Sequence, residues 1–208
     1  MFTDHAEAGV RLASALAGRL PNDTLVLGVP RGGVVVAAEV ARALSLELDV
    51  VVVRKIGAPG SPEYAIGAVD EDGSVIGASG RGTDPAYLER AAADGRTEIA
   101  RRLAAYRGDR PRTRVAGRTV AIVDDGIATG MTLMAAVESL RRRDATRVVV
   151  AAPVASPQAL RDLEPIADEV IVLDAPSGFY AVGQFYRSFD QTPDAEVVRL
   201  LAEAWDRT

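Results

Sequence analysis

Two hydrophobic periods alternate along this chain. Runs at 24–29, 48–53, 119–123, 147–152 and 169–173 are almost unbroken in Val, Ile, Leu and Ala, the pattern of strands covered on both faces. Between them, 6–20, 33–44, 84–106, 129–143 and 193–205 carry apolar residues at helical spacing, as Ala8, Leu12, Leu16 and Leu20 do in the first. Asp84 followed by Pro85 supplies an N-cap and a first-turn proline, and Ser156 opens a shorter helix. This alternation predicts an α/β fold, with a central, mostly parallel sheet flanked by helices on each side. Two stretches break the rhythm. Segment 54–82 is irregular, with 65–69 and 74–78 flanking the turn Asp70-Glu-Asp-Gly73 as a hairpin. Segment 174–192 concentrates aromatic residues in a chain with only 5% of them.

Composition narrows the chemistry. Among 208 residues there are 24 basic and 29 acidic side chains, a net charge of −5 that argues against a general nucleic-acid or membrane-surface binder. Cysteine is absent, which removes disulfides, thiolate zinc sites and cysteine nucleophiles together. With His5 as the single histidine, any metal is expected to be a hard ion held by carboxylates and phosphates. The start MFTDHAEAGV has no continuous apolar run and nowhere do 18 apolar residues follow one another, so neither a secretory signal nor a membrane span is expected, and a cytoplasmic location is. Rossmann, Walker and nucleophile-elbow motifs are missing.

Ligands of open α/β sheets bind beyond the carboxyl ends of the strands. The sharpest strand end is Val120-Ala-Ile-Val-Asp-Asp-Gly-Ile-Ala-Thr-Gly-Met-Thr132. There a buried strand delivers Asp124 and Asp125, then a loop of small residues, then a helix whose free N–H groups suit a phosphate dianion. Two acids are badly placed for the phosphate itself; they suit neutral hydroxyls or a magnesium ion. A ligand with a phosphate at one end and a diol beside it is a 5-phosphorylated ribose. Pro30-Arg-Gly-Gly33 follows the first strand of the same sheet, where backbone N–H groups and the planar fork of Arg31 suit a pyrophosphate. Arg54-Lys55 ends the second strand ahead of a Gly/Pro-rich stretch suited to a lid.

The 120–132 stretch resembles the phosphoribosyl-pyrophosphate signature of the type I phosphoribosyltransferases. With VPRGG (29–33), VVVRKIGAPGSPEYAIGAV (51–69) and VDDGIATG (123–130) in this order, the chain is similar to a predicted bacterial branch of that family. The resemblance implies one phosphoribosyltransferase-like domain over 1–208, with 54–82 as a lid excursion and 174–208 as a C-terminal extension and candidate hood. It implies transfer of phosphoribose from 5-phosphoribosyl 1-pyrophosphate (PRPP) to a nitrogenous base, with Mg2+ as cofactor, a homodimer, and no nucleic-acid or membrane partner. Asp124 and Asp125 would hold the ribose hydroxyls, directly or through magnesium. Gly126, Ile127, Ala128, Thr129, Gly130, Met131 and Thr132 would hold the 5′-phosphate. Arg31, Gly32 and Gly33 would hold pyrophosphate, in a loop that in relatives often has an unusual peptide bond. Arg54 and Lys55 would neutralise the departing pyrophosphate. Phe179, Tyr180, Phe185 and Tyr186 are the candidates for stacking on the base. Ala128 stands where the 6-oxopurine enzymes carry an acid, a departure that points away from hypoxanthine and guanine. The rival class is a regulator on the same fold that binds PRPP or a nucleotide without turnover. His5 reads as a capping or surface residue, Arg141-Arg-Arg143 as a solvated helix end, and the arginines at 101, 102 and 107–118 as surface cations.

Overall fold

The computed structural model describes residues 1–77 and 84–207. Five strands, β1 (Leu25–Gly28), β2 (Glu47–Val50), β6 (Thr119–Val123), β7 (Arg147–Val154) and β8 (Glu169–Asp174), form one sheet in the order β2-β1-β6-β7-β8, parallel throughout. Period-two alternation splits their side chains between two cores. Val26, Ala121, Val123, Val149 and Ala151 face the helices α1 (His5–Leu16), α2 (Gly32–Leu44), α3 (Pro85–Arg107) and α6 (Asp194–Trp205). Leu25, Leu27, Val120, Ile122, Val148 and Val150 face α4 (Met131–Arg142) and α5 (Pro157–Leu163). Strands covered on both faces can be uniformly apolar, which is why the sequence pattern reads so plainly. From β1 the chain winds outward to β2 on one side, and from β6 to β7 and β8 on the other. The winding direction reverses between β1 and β6, and that crevice is where an open parallel sheet admits a ligand.

A second, antiparallel sheet joins β3 (Arg54–Ala58), β4 (Ser61–Val69) and β5 (Val75–Ile76). The turn at 70–73 is the expected hairpin, with Gly73 N–H donating to Asp70 O at 3.0 Å. The Gly/Pro stretch after Lys55, read from sequence as an irregular lid, is instead a strand-turn-strand, β3 turning into β4 at Pro59-Gly60. The ends of the expected 74–78 strand and of the 54–82 excursion lie outside the described residues.

Ion pairs fasten this small sheet to the large one. Arg107, at the end of α3, is buried, with Nε 2.9 Å from Asp49 Oδ1 on β2 and Nη1 3.0 Å from Glu71 Oε2 in the β4–β5 turn. Glu71 also accepts the backbone N–H of Val52 at 2.8 Å. Arg112 reaches Glu71 and Asp72 at 2.9 and 2.6 Å. Arg107 and Arg112 are therefore internal fastenings rather than surface cations, because the carboxylates that neutralise them are folded onto the same place. Arg141-Arg-Arg143 keeps an exposed side at Arg142, as expected of a helix end, but its cations are paired: Arg141 with Asp168 at 2.7 Å and Arg142 with Asp70 at 2.8 Å, while Arg143 is half-buried.

The C-terminal helix closes one face. Tyr106 Oη donates to Asp194 Oδ1 at 2.7 Å at its start, and the indole N–H of Trp205 donates to Leu48 O at 2.9 Å at its end. The Arg110 guanidinium lies over the Trp205 ring at 4.6 Å. Among the described residues, no helix is long and apolar enough to cross a membrane.

Candidate active site

The β1–α2 and β6–α4 connections meet at the point where the winding reverses. Val29 N–H donates to Val123 O at 2.9 Å, carrying the parallel pairing one residue past β1. The Pro30–Arg31 peptide bond is cis, and α2 begins at Gly32. Glycine is required here by close approach. A Cβ on Gly32 would lie 1.9 Å from Asp125 Oδ2, and one on Gly33 would lie 2.8 Å from Asp124 Oδ1. Without those methyl groups, the N-terminus of α2 presses directly on the carboxylate pair, a favourable place for negative charge.

Asp124 and Asp125 leave β6 at its carboxyl end. Asp125 N–H donates to Asp124 Oδ1 at 2.9 Å, and among the described residues neither carboxylate is paired with a lysine or arginine. Burial, with Asp125 beside it, pushes the Asp124 carboxyl well above the usual carboxylate range. The following loop is braced from behind: Ile127 N–H donates to Val154 O at 2.8 Å, Ser156 N–H to Ile127 O at 2.8 Å, and Ser156 Oγ to Ala128 O at 2.6 Å. Gly130 takes a left-handed φ of 72°, which a glycine adopts without strain, and α4 starts at the next residue. The first N–H groups of a helix have no partners within it, so this braced loop offers donors to an anion.

Two cavities open on this edge. One, of about 150 Å³, is bounded by Lys55, Asp124, the loop 126–130 and Thr132. The other, of about 280 Å³, is bounded by Arg31, Gly32, Asp125, His5, Phe189 and residues 190–192. The fold thus brings together Lys55, Asp124, Asp125, Arg31 and the 126–132 loop, with two exceptions. Successive strand residues point to opposite sides, so Lys55 faces the smaller cavity while Arg54 lies against α3, its Cγ 3.7 Å from a Cβ built on Gly95. Met131, on the other side of the first turn of α4, lines an apolar groove with Ala68 and Ile76 instead of the loop cavity.

The aromatic residues singled out from sequence are arranged differently from that expectation. Tyr186 is buried: its Oη donates to Asp125 O at 2.6 Å, and its ring packs on Phe2 and His5 at centroid distances of 5.3 and 5.2 Å. Burial and the two nearby aspartates push its phenol well above the usual range, so it stays a donor. It offers no face to a ligand. Phe179 stacks on Phe185 at 5.4 Å, and Tyr180, 92% exposed, stands outside both cavities. The ring at the larger cavity is Phe189, 42% exposed on one side and packed on the other against His5 and Tyr186 at 5.0 and 5.1 Å.

Sequence reasoning missed Phe189 and His5. Phe189 stands three residues beyond Tyr186, and that short spacing was its only signal. His5 looked like a cap because it follows Asp4 at a helix start. The cap is Asp4 itself, whose Oδ1 accepts the Glu7 N–H at 2.8 Å. His5 is buried, its Nε2 3.3 Å from Asp125 Oδ2.

A family model of the phosphoribosyl transferase domain matches residues 4–186. A protein of Mycobacterium tuberculosis, provisionally named a phosphoribosyl transferase, is 44% identical over 212 residues, covering 98% of this chain and 47% of its own length. The chain therefore spans about half the length of the curated relatives it matches. The crystal structure of TT1426 from Thermus thermophilus is 47% identical, with a TM-score of 0.86 over 97% of this chain and 98% of that one. The AQ2163 protein of Aquifex aeolicus, 12% identical with a TM-score of 0.50, shares the fold alone. A strand-end carboxylate pair, a braced loop at a helix start and a family model spanning most of the sequence lead to one statement: this chain belongs to the phosphoribosyl transferase domain family.

Proposed function

We infer that the protein transfers the phosphoribosyl group of PRPP to a nitrogenous base and releases pyrophosphate. The observation that carries this reading is the order of groups along one edge of the sheet. Lys55, the loop 126–130 and Thr132 bound one cavity, Arg31 bounds the next, and the two aspartates lie between them. A donor with phosphate, diol and pyrophosphate in sequence meets complementary groups in the same sequence.

In this reading, N–H groups of the loop 126–130 and the hydroxyls of Thr129 and Thr132 hold the 5′-phosphate. Asp124 and Asp125 accept hydrogen bonds from the ribose hydroxyls, and Arg31 with the N-terminus of α2 receives the pyrophosphate. Transfer breaks the bond between C1 and the pyrophosphate oxygen, which keeps the electron pair, while a ring nitrogen of the base bonds to C1 and loses its proton. Leaving-group charge is the main obstacle, and Arg31 is the cation placed to offset it; Lys55, expected to share that task, bounds the 5′-phosphate cavity instead. The acceptor stacks on the open face of Phe189, in the role first given to Phe179, Tyr180, Phe185 and Tyr186.

The aspartate pair also fits Mg2+. Among the described residues no cluster of three or more ligating side chains exists, so the protein offers no complete cage. Two adjacent carboxylates without a lysine or arginine partner among the described residues suit an ion that takes its other ligands from phosphate oxygens and water. When bound, magnesium supplies further charge neutralisation at the pyrophosphate.

The test is a panel of nitrogenous bases incubated with PRPP and magnesium, with pyrophosphate release followed. Release with one base and not with others is the expected result. PRPP binding by calorimetry with no release across a broad panel would replace the enzyme with a regulator that senses PRPP. No binding of any ribose 5-phosphate compound would end the reading altogether.

A further inference from the structure

We propose that His5 is a positioning residue of the donor site, holding the Asp125 carboxylate through its Nε2 so that the carboxylate can receive the sugar. This rests on the PRPP reading above and adds to it a residue from the N-terminal helix, outside the strand-end motifs.

Four observations support it. His5 is 8% exposed, and its Nε2 is buried without a hydrogen-bond partner, while the nearest carboxylate oxygen, Asp125 Oδ2, is 3.3 Å away. A buried polar atom left unpaired is costly, which favours pairing this nitrogen with the carboxylate oxygen beside it. The ring has little freedom to turn away, being flanked by Tyr186 at 5.2 Å and Phe189 at 5.0 Å. The chain just ahead of it is anchored to the segment that carries those rings: Phe2 N–H donates to Phe185 O at 2.7 Å, Arg187 N–H to Phe2 O at 2.8 Å, and Ser188 N–H to Thr3 O at 3.0 Å. Finally, Tyr186 Oη fixes the Asp125 carbonyl at 2.6 Å, leaving the side chain as the part of Asp125 still to be oriented. His5 is the side chain beside it.

A purely packing role and a positioning role predict opposite outcomes for two variants. His5→Phe keeps a ring between Tyr186 and Phe189 and removes the nitrogen. His5→Gln removes the ring and returns an amide N–H near the position of Nε2. Affinity for PRPP and, separately, for ribose 5-phosphate is measured by calorimetry with magnesium present, and each variant's Tm is recorded. The wild type must bind PRPP; if it does not, the functional reading fails and this inference with it. Given wild-type binding, His5→Phe is expected to weaken both ligands by a common factor of about ten, whereas His5→Gln stays within about threefold of wild type despite a lower Tm. Wild-type affinity in His5→Phe overturns the proposal, as does a loss confined to PRPP, which would place His5 at the pyrophosphate. If the Phe variant does not fold, the Gln variant decides: a loss of about tenfold or more there overturns the proposal just as firmly.

Discussion

Residues 120–132 carry the strand, the carboxylates and most of the anion loop that floor the two cavities, while the roof over the larger one is assembled from both ends of the chain. Phe2, Thr3 and His5 come from one end, and Phe185, Tyr186, Phe189 and residues 190–192 from the other. The floor is local, and its geometry follows from a strand ending where a helix begins. The roof is tertiary, and its members are joined by a short parallel bridge that pairs Phe2 with Tyr186 and by the packing of their rings. Groups that recognise the common part of a donor can reside in one continuous motif. Groups that recognise a variable acceptor can be exchanged without disturbing that motif when they sit on separate segments.

The largest effect is expected in the floor. Asp124 carries a raised carboxyl value, so the folded state binds its proton more tightly than the unfolded state does. The associated stability is present below the ordinary carboxylate range and is lost as pH rises through the folded value. Asp124→Asn should therefore raise Tm at neutral pH and flatten the decline between acid and neutral pH. The same change should weaken PRPP about tenfold to a hundredfold, the worth of a hydrogen bond to a charged group at about 1.5–3 kcal/mol. Calorimetry and melts across pH would check both, and a variant that loses affinity and stability together would contradict the idea that charge is held there at a cost to the fold.

A smaller effect separates two neighbours in sequence. Lys55→Ala should weaken PRPP and ribose 5-phosphate alike by about tenfold, the loss of one charge-assisted contact at the 5′-phosphate end. Arg54→Ala should leave both affinities near wild type, since that side chain lies against α3. Equal losses in the two variants would mean that β3 changes its register or orientation when the donor binds.

The smallest expected change lies in the roof. Phe189→Ala should raise the acceptor KM by about three- to tenfold, in keeping with ~0.5–1.5 kcal/mol for an aromatic contact, and leave PRPP affinity near wild type. Phe179→Ala should do neither. A reversed pattern would return the acceptor to the Phe179–Phe185 pair.

The same division explains what could be read from the sequence. All five strands of the large sheet were visible as apolar runs, the inner ones because burial on both faces leaves such a run unmixed, as in Val120-Ala-Ile-Val123. Asp84 and the 70–73 turn were visible because capping and turn chemistry are local. β3 was not, since Arg54-Lys-Ile-Gly-Ala58 shows no alternation and gains its pairing from β4. Arg107 looked like an ordinary basic last turn of a helix; its burial depends on Asp49 and Glu71, which no spacing rule connects to it. Met131 and Thr132 are adjacent in the motif yet face different surfaces, a consequence of roughly 100° of rotation per helical residue. His5 and Phe189 were missed for the most general reason: a partner brought by the opposite end of the chain leaves no trace in local pattern.

The lone tryptophan gives the protein a built-in optical gauge. Trp205 ends α6, a helix of twelve residues and so about 18 Å long, whose first residue, Asp194, has Oδ1 4.0 Å from the Arg31 guanidinium. Because the indole is hydrogen-bonded to the edge of the large sheet and lies outside both cavities, its emission should respond fully to denaturation and only faintly to occupancy. Unlabelled protein can thus be checked for integrity in the same cuvette in which binding is followed by another signal.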